Sequence, residues 1–177
     1  KDRAVCGDEV PDETLVVDEG GLANVVVRIA VPDAAAAPLT LSLDQHRCRF
    51  VPHVQAAPIG SEVELSNGDV LLHTAHAYAG KGTAFDEVMA RRGEKRTRPL
   101  RRPGPLRIGC DVHAWMSAWI VVVEGPFHAV SGAGGRFVIP GVPDGTHPAT
   151  AWHERLGEKA ATVTVKDGSA ELVFVYP

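Results

Sequence analysis

Gly109-Cys110-Asp111-Val112-His113-Ala114-Trp115-Met116 places a thiol, an imidazole and a thioether three residues apart on one short turn. Soft and borderline donors of this kind suit a transition metal, and a trigonal set of two His and one Cys with a weak axial Met is the set that holds cycling copper. The turn lacks one His. Upstream, Asn67-Gly68-Asp69-Val70-Leu71-Leu72-His73-Thr74-Ala75-His76 supplies it, with His73 following an apolar run that reads as the end of a strand. The predicted ligands are therefore His73, Cys110, His113 and Met116 around one copper ion. Two bonds to one ion then require the Cys110 sulfur and a His73 nitrogen to lie within about 5 Å.

Taken singly, each ligand has a plainer reading, since a buried Cys is usually an inert hydrophobe and a lone Met fills core. Their joint spacing, with a His upstream, carries the metal reading. His76 faces a different side from His73 if the stretch is extended, because strand side chains alternate. It is grouped with Asn67, Asp111 and Trp115 as a residue that supports ligands rather than binding metal. His53, in Phe50-Val51-Pro52-His53, is a weaker ligand candidate, and His46, His128, His147 and His153 are read as structural or solvated.

These stretches resemble the cupredoxins, the blue copper proteins, which carry one isolated His after an Asn-containing strand and a Cys, His, Met cluster between their last two strands. The Cys110 to Met116 loop is similar to the short amicyanin-type ligand loop. Arg49-Phe50-Val51-Pro52 and Ile59-Gly60-Ser61-Glu62-Val63-Glu64-Leu65-Ser66-Asn67 match a strand pair of the family, so the resemblance covers roughly residues 40 to 125. It implies a Greek-key β-sandwich and electron transfer without turnover. His113 would then lie near the surface with its ring edge as the electron exit, rimmed by Trp115, Ala114 and Ala118. Thr74 and Asp111 depart from the common pattern, where Asn and a small residue are usual. The His that bridges the thiolate to a second copper in multicopper oxidases and nitrite reductases is absent, because Gly109 and Asp111 flank Cys110.

The 177 residues include 18 Lys and Arg against 22 Asp and Glu, for a net charge of -4, with 45% apolar and only 6% aromatic content. Abundant Val, Gly and Pro favour many short strands joined by turns, so an all-β protein is expected. No apolar run approaches the roughly 18 residues of a membrane span. The chain opens at Lys1-Asp2-Arg3 with no apolar targeting segment, so any signal peptide is expected to have been removed or to lie outside this sequence. With Cys110 assigned to metal, Cys6 and Cys48 remain, as a disulfide or as two reduced buried thiols. The disulfide implies an oxidising compartment, periplasmic or extracellular.

Leu15-Val16-Val17 and Ala23 to Ile29, separated by Gly20-Gly21, give a hairpin signal. The Ala-rich stretch between Pro32 and Pro38 reads as a connector. After Glu124-Gly125-Pro126, the run Gly134-Gly135-Arg136-Phe137-Val138-Ile139-Pro140-Gly141-Val142-Pro143-Asp144-Gly145 resembles carboxypeptidase-regulatory-like β-sandwich modules, whose first strand Gly20 to Val27 would supply. The expected organisation is a copper domain over 39–125 inserted into a regulatory-like sandwich made of 1–38 and 126–177. The alternative is one cupredoxin with a C-terminal appendage. No chemistry is assigned to Trp152-His153-Glu154-Arg155.

Arg91-Arg92-Gly93-Glu94-Lys95-Arg96-Thr97-Arg98-Pro99-Leu100-Arg101-Arg102 holds seven cations against one anion in an acidic protein. Such a patch beside a redox centre can steer an acidic partner such as a cytochrome. No aromatic platform or recognition helix accompanies it, so nucleic acid is not expected. The function expected is an exported electron carrier with one copper and no catalytic residues. The alternative is a copper-handling or sensory module in which copper is cargo.

Overall fold

Runs rich in Val, Ile, Leu and Thr that alternate between buried and exposed positions become strands along the chain, because such side chains pack well on a pleated surface. The computed structural model describes residues 2–177. In chain order the strands are β1 (Val17–Asp18), β2 (Gly21–Leu22), β3 (Val26–Ile29), β4 (Thr40–Gln45), β5 (Phe50–Val51), β6 (Val54–Pro58), β7 (Glu62–Asn67), β8 (His73–Ala79), β9 (Gly82–Met89), β10 (Lys95–Pro99), β11 (Gly104–Gly109), β12 (Ser117–Val123), β13 (His128–Val130), β14 (Gly145–His153) and β15 (Gly157–Val165). A single helical turn, α1 (Arg3–Cys6), precedes them. The protein is all-β, and no helix among the described residues is long and apolar enough to cross a membrane.

The chain divides into two compact units. One comprises the residues up to Asp12 together with Pro38–Val122, and the other Glu13–Ala37 with Val123–Pro177. The Cys6–Cys48 disulfide ties the first dozen residues to the 38–122 unit. The sequence reading groups them with the flanking module; a covalent link across 42 residues of sequence decides otherwise.

The first unit is a sandwich of two sheets, ordered β10-β7-β4-β5 and β6-β12-β11-β8-β9. β4 and β7 run parallel, while the other registered pairs are antiparallel. Period two selects the inward side chains: Val63, Leu65 and Asn67 of β7 are buried while Glu62, Glu64 and Ser66 are not. Leu43, Phe50, Leu65, Ile108 and Ile120 join Ala57, Ala75, Ala77 and Ala118 in one core. The small residues sit on the sheet that carries the candidate ligands.

In the second unit, one antiparallel sheet is ordered β13-β3-β14-β15. Leu22, Phe137, Ile139, Leu172, Phe174 and Tyr176 cover the face formed by Val25, Val27, Ala151, Ile29, Ala149 and Val163. The hairpin expected around Gly20 exists only as the two-residue pairing of β1 with β2. β3 leaves it to pair with β13 and β14, which satisfy its backbone N–H and C=O groups on both edges. Gly21 lets β2 pack against the turn at Ala133–Gly135: a Cβ there would fall 2.0 Å from the Gly134 carbonyl carbon.

Ile120 of β12 is fully buried at the centre of the first sandwich. Ile120→Ala is expected to cost about 2–5 kcal/mol in denaturant unfolding, whereas Glu64→Ala, which removes only an exposed pair with Lys95, should cost under about 1 kcal/mol.

Candidate metal centre

The donors meet because two antiparallel neighbours, β8 and β11, are in register with Gly109 opposite His76. The start of β8 and the turn after β11 therefore share one end of the sheet. The sequence reading has His73 closing a strand, but it opens β8. Val70 and Leu72, in the apolar run before it, are exposed in a loop.

Asn67 builds that loop. Its amide donates to the carbonyls of Leu71 and Met89 at 2.8 and 2.9 Å, and its Oδ1 accepts the Asp69 N–H at 2.9 Å. Asp69 is thereby placed beneath His73, with Oδ2 3.0 Å from His73 Nε2. The same carboxylate accepts the N–H groups of Arg47 and Cys48 at 2.7 and 2.8 Å. Both of those residues have positive φ, so the carboxylate also secures a turn in a disfavoured conformation. Sequence reasoning missed Asp69, whose signal was its place in Asn67-Gly68-Asp69, a turn-forming triplet just ahead of a candidate ligand.

With Nε2 held by Asp69, His73 turns Nδ1 inward. It lies 3.0 Å from His113 Nδ1, and the Cys110 Sγ lies 3.9 Å from each of these nitrogens. All three residues are buried. A point about 2.0 Å from each nitrogen and about 2.3 Å from the sulfur, ordinary bond lengths for such donors, falls within roughly 0.2 Å of the donor plane. The triangle thus fits a trigonal metal centre of two nitrogens and one sulfur. Met116 is fully buried in the same core cluster as Cys110, and its N–H donates to the His113 carbonyl at 3.0 Å.

Thr74 and Asp111, the two departures from the cupredoxin pattern, meet each other. The Thr74 hydroxyl accepts the Asp111 N–H at 2.8 Å and donates to Asp111 Oδ2 at 3.3 Å, while the Thr74 N–H points at the Cys110 sulfur at 3.4 Å. Together they clamp the ligand turn onto β8. His76 lies apart from the donors, bonded to Asp111, Tyr78 and Thr83. His53 is also elsewhere, with Nδ1 3.1 Å from the Ser117 carbonyl.

The expected exposure of His113 is corrected. The residue is only 3% exposed, and its Nε2 lies 3.3 Å from Asp2 Oδ2, in the N-terminal segment that the disulfide draws over it. Ala118 is buried in β12 and forms no rim. Trp115 remains 53% exposed, with its ring centroid 5.1 Å from that of His113 and its Nε1–H donating to the Cys48 carbonyl at 3.2 Å.

Burial alone would raise the Cys110 pKa, but hydrogen bonding from His73 and from the Thr74, His113 and Val112 N–H groups outweighs it and lowers the thiol to about 6. Burial works against a charged His73 as well; Cys110 and Asp69 overcome it and raise the imidazole pKa. Asp69 is lowered against its own burial by the Cys48 and Arg47 N–H groups and by His73. The pocket therefore favours a thiolate, the form of sulfur that binds metal.

No protein-family model matches the chain, and no curated protein matches it. Among solved structures it is similar to the copper-containing nitrite reductase (NirK) from Thermus scotoductus SA-01, with 26% identity over 56% of this chain and a TM-score of 0.43. The match spans 26% of that enzyme's length. It is also similar to a purple cupredoxin from Nitrosopumilus maritimus, with 16% identity over 47% of this chain and 99% of that one, at a TM-score of 0.42. A mutant of amicyanin in its Cu(I) state matches with 15% identity over 55% of this chain and 98% of that one, also at 0.42. Cupredoxins thus stand among the structural neighbours, at low identity and over about half of the chain.

In metal-free protein the ultraviolet absorption of the Cys110 thiolate should grow in as pH rises, with a midpoint near 6. His73→Ala should move that midpoint upward, toward the ordinary thiol value of about 8.5. An unchanged midpoint would show that His73 does not stabilise the anion.

Proposed function

We propose that the chain is an exported mononuclear copper protein that carries electrons, in which His73, Cys110, His113 and Met116 would hold the ion. The observation that carries this is the triangle of two imidazole nitrogens and one sulfur, whose sides suit one ion and whose donor types are those of blue copper sites. Copper bound there supplies a one-electron couple. The protein keeps the donors in place: Asp69 fixes the His73 ring, and the Thr74–Asp111 clamp fixes the turn that bears Cys110 and His113. A cage already shaped before the electron arrives keeps reorganisation small and transfer fast.

With the His113 edge covered by Asp2, the half-exposed Trp115 is the route by which an electron reaches a docked redox protein such as a cytochrome. The basic segment is divided in this role. Arg96 and Arg98 pair with Glu87, and Lys95 pairs with Glu64. Arg91 and Arg92 follow β9, whose last residue, Met89, lies opposite His73. Arg101 and Arg102 precede β11, at the far end of the sheet from Cys110. Steering toward the metal end therefore falls to Arg91 and Arg92. The disulfide supports an oxidising compartment, and the second unit is read as a regulatory-like spacer with no chemistry of its own. A copper-handling role is the second reading, favoured by the covered His113 edge.

Titration of the oxidised protein with Cu(II) should give one ion per chain, a strong thiolate-to-copper absorption and a mononuclear spin-resonance signal. Cys110→Ser should abolish the absorption, and Met116→Leu should retain it with a changed reduction potential. Binding of copper without a thiolate band would overturn the assignment.

A further inference from the structure

The cysteines of the disulfide lie against the candidate centre. Cys6, Cys48 and His113 offer three ligand atoms within 4.8 Å of one another, all on buried residues. Cys48 also lies within 4.8 Å of a ligand atom of His73, so its sulfur borders both histidines of the centre. In the bridged form neither sulfur carries the negative charge that makes a thiolate a ligand. Reduction changes this without moving the chain far, since the two Cα atoms are only 5.0 Å apart. Cys6 also lines a hollow of about 300 Å³ with Asp2, Arg3, Gly7, Asp8, Val10 and Trp115, through which a small reductant or an ion can approach.

Resting on the copper reading above, we infer that reduction of the Cys6–Cys48 bridge creates a second site, of two thiolates and the His113 imidazole, that takes Cu(I) and shares His113 with the first. Thiolates are soft donors that suit Cu(I), as they also suit Zn. The chemistry balances: an external dithiol gives two electrons and two protons to the bridge and is itself oxidised to a disulfide, leaving thiols at Cys6 and Cys48. Each thiol loses its proton to water as its sulfur binds Cu(I), and copper does not change oxidation state. Both sites draw on His113, so the second offers an ion held at the first a neighbouring set of donors. The dithiol is then a station through which copper enters or leaves when the surroundings turn reducing, and the bridge closes that station while the protein carries electrons.

The test uses the full chain as the Cys110→Ser variant, which lacks the first thiolate, with Cu(I) as the probe and a coloured Cu(I) chelator as competitor. With the bridge intact, the variant should yield its Cu(I) to the chelator. After reduction by a phosphine it should retain one Cu(I) per chain, with sulfur neighbours in X-ray absorption. Adding His113→Asn should weaken that retention by more than about tenfold, since loss of even an outer partner of a ligand costs about 10–100-fold in metal affinity. Alkylating the two thiols of the reduced, folded variant should abolish it, which avoids relying on a cysteine variant that fails to fold. Equal Cu(I) retention before and after reduction, or retention that survives alkylation, would overturn the inference. The first centre is judged separately, by the thiolate-to-copper band of the oxidised wild type.

Discussion

One buried carboxylate holds the candidate metal end of this protein together. Asp69 accepts from the His73 ring and from the N–H groups of Arg47 and Cys48, so a single side chain orients a ligand and anchors the turn to which the N-terminal segment is bridged. An ionised carboxylate away from water is costly unless hydrogen bonds compensate it. Here three donors do so, and its pKa is correspondingly lowered. The Asn67 amide network in turn fixes where Asp69 sits. Removing the carboxylate would leave the buried Cys48 N–H, the Arg47 N–H and a ring nitrogen without their partner, which links the stability of this end to the orientation of the site.

The same economy governs the sulfur. A thiolate in the core is disfavoured by burial, and it is stabilised by an imidazole from a neighbouring strand and by backbone N–H groups of its own turn. Two residues that each look out of place in the cupredoxin pattern, Thr74 and Asp111, become intelligible as a pair. One side chain caps the backbone of the other, and the strand bearing His73 is thereby pinned to the turn bearing Cys110.

Legibility from sequence followed the range of the interactions. The all-β class and the inward valines and leucines of β7 rest on local alternation, and the residues show them directly. The donors at Cys110 and His113 were visible because they share one turn. Asp69 was not, because its role depends on a ring and a turn brought to it by two other strands. The covering of His113 was likewise hidden: nothing in Lys1-Asp2-Arg3 indicates that Asp2 will face an imidazole 111 residues away.

By itself, the order of residues determined the secondary-structure class, the kinds of donor available and the spacing that puts three of them on one turn, because these depend on neighbours within a few positions. Only the tertiary structure decided that the Cys110 sulfur and two Nδ1 atoms form a triangle of the size one ion needs, that Asp69 turns His73 toward it, and that the Cys6–Cys48 bridge lies against His113. Each of these is a matter of strand register and sheet packing, in which contacts between distant parts of the chain set positions to fractions of an ångström.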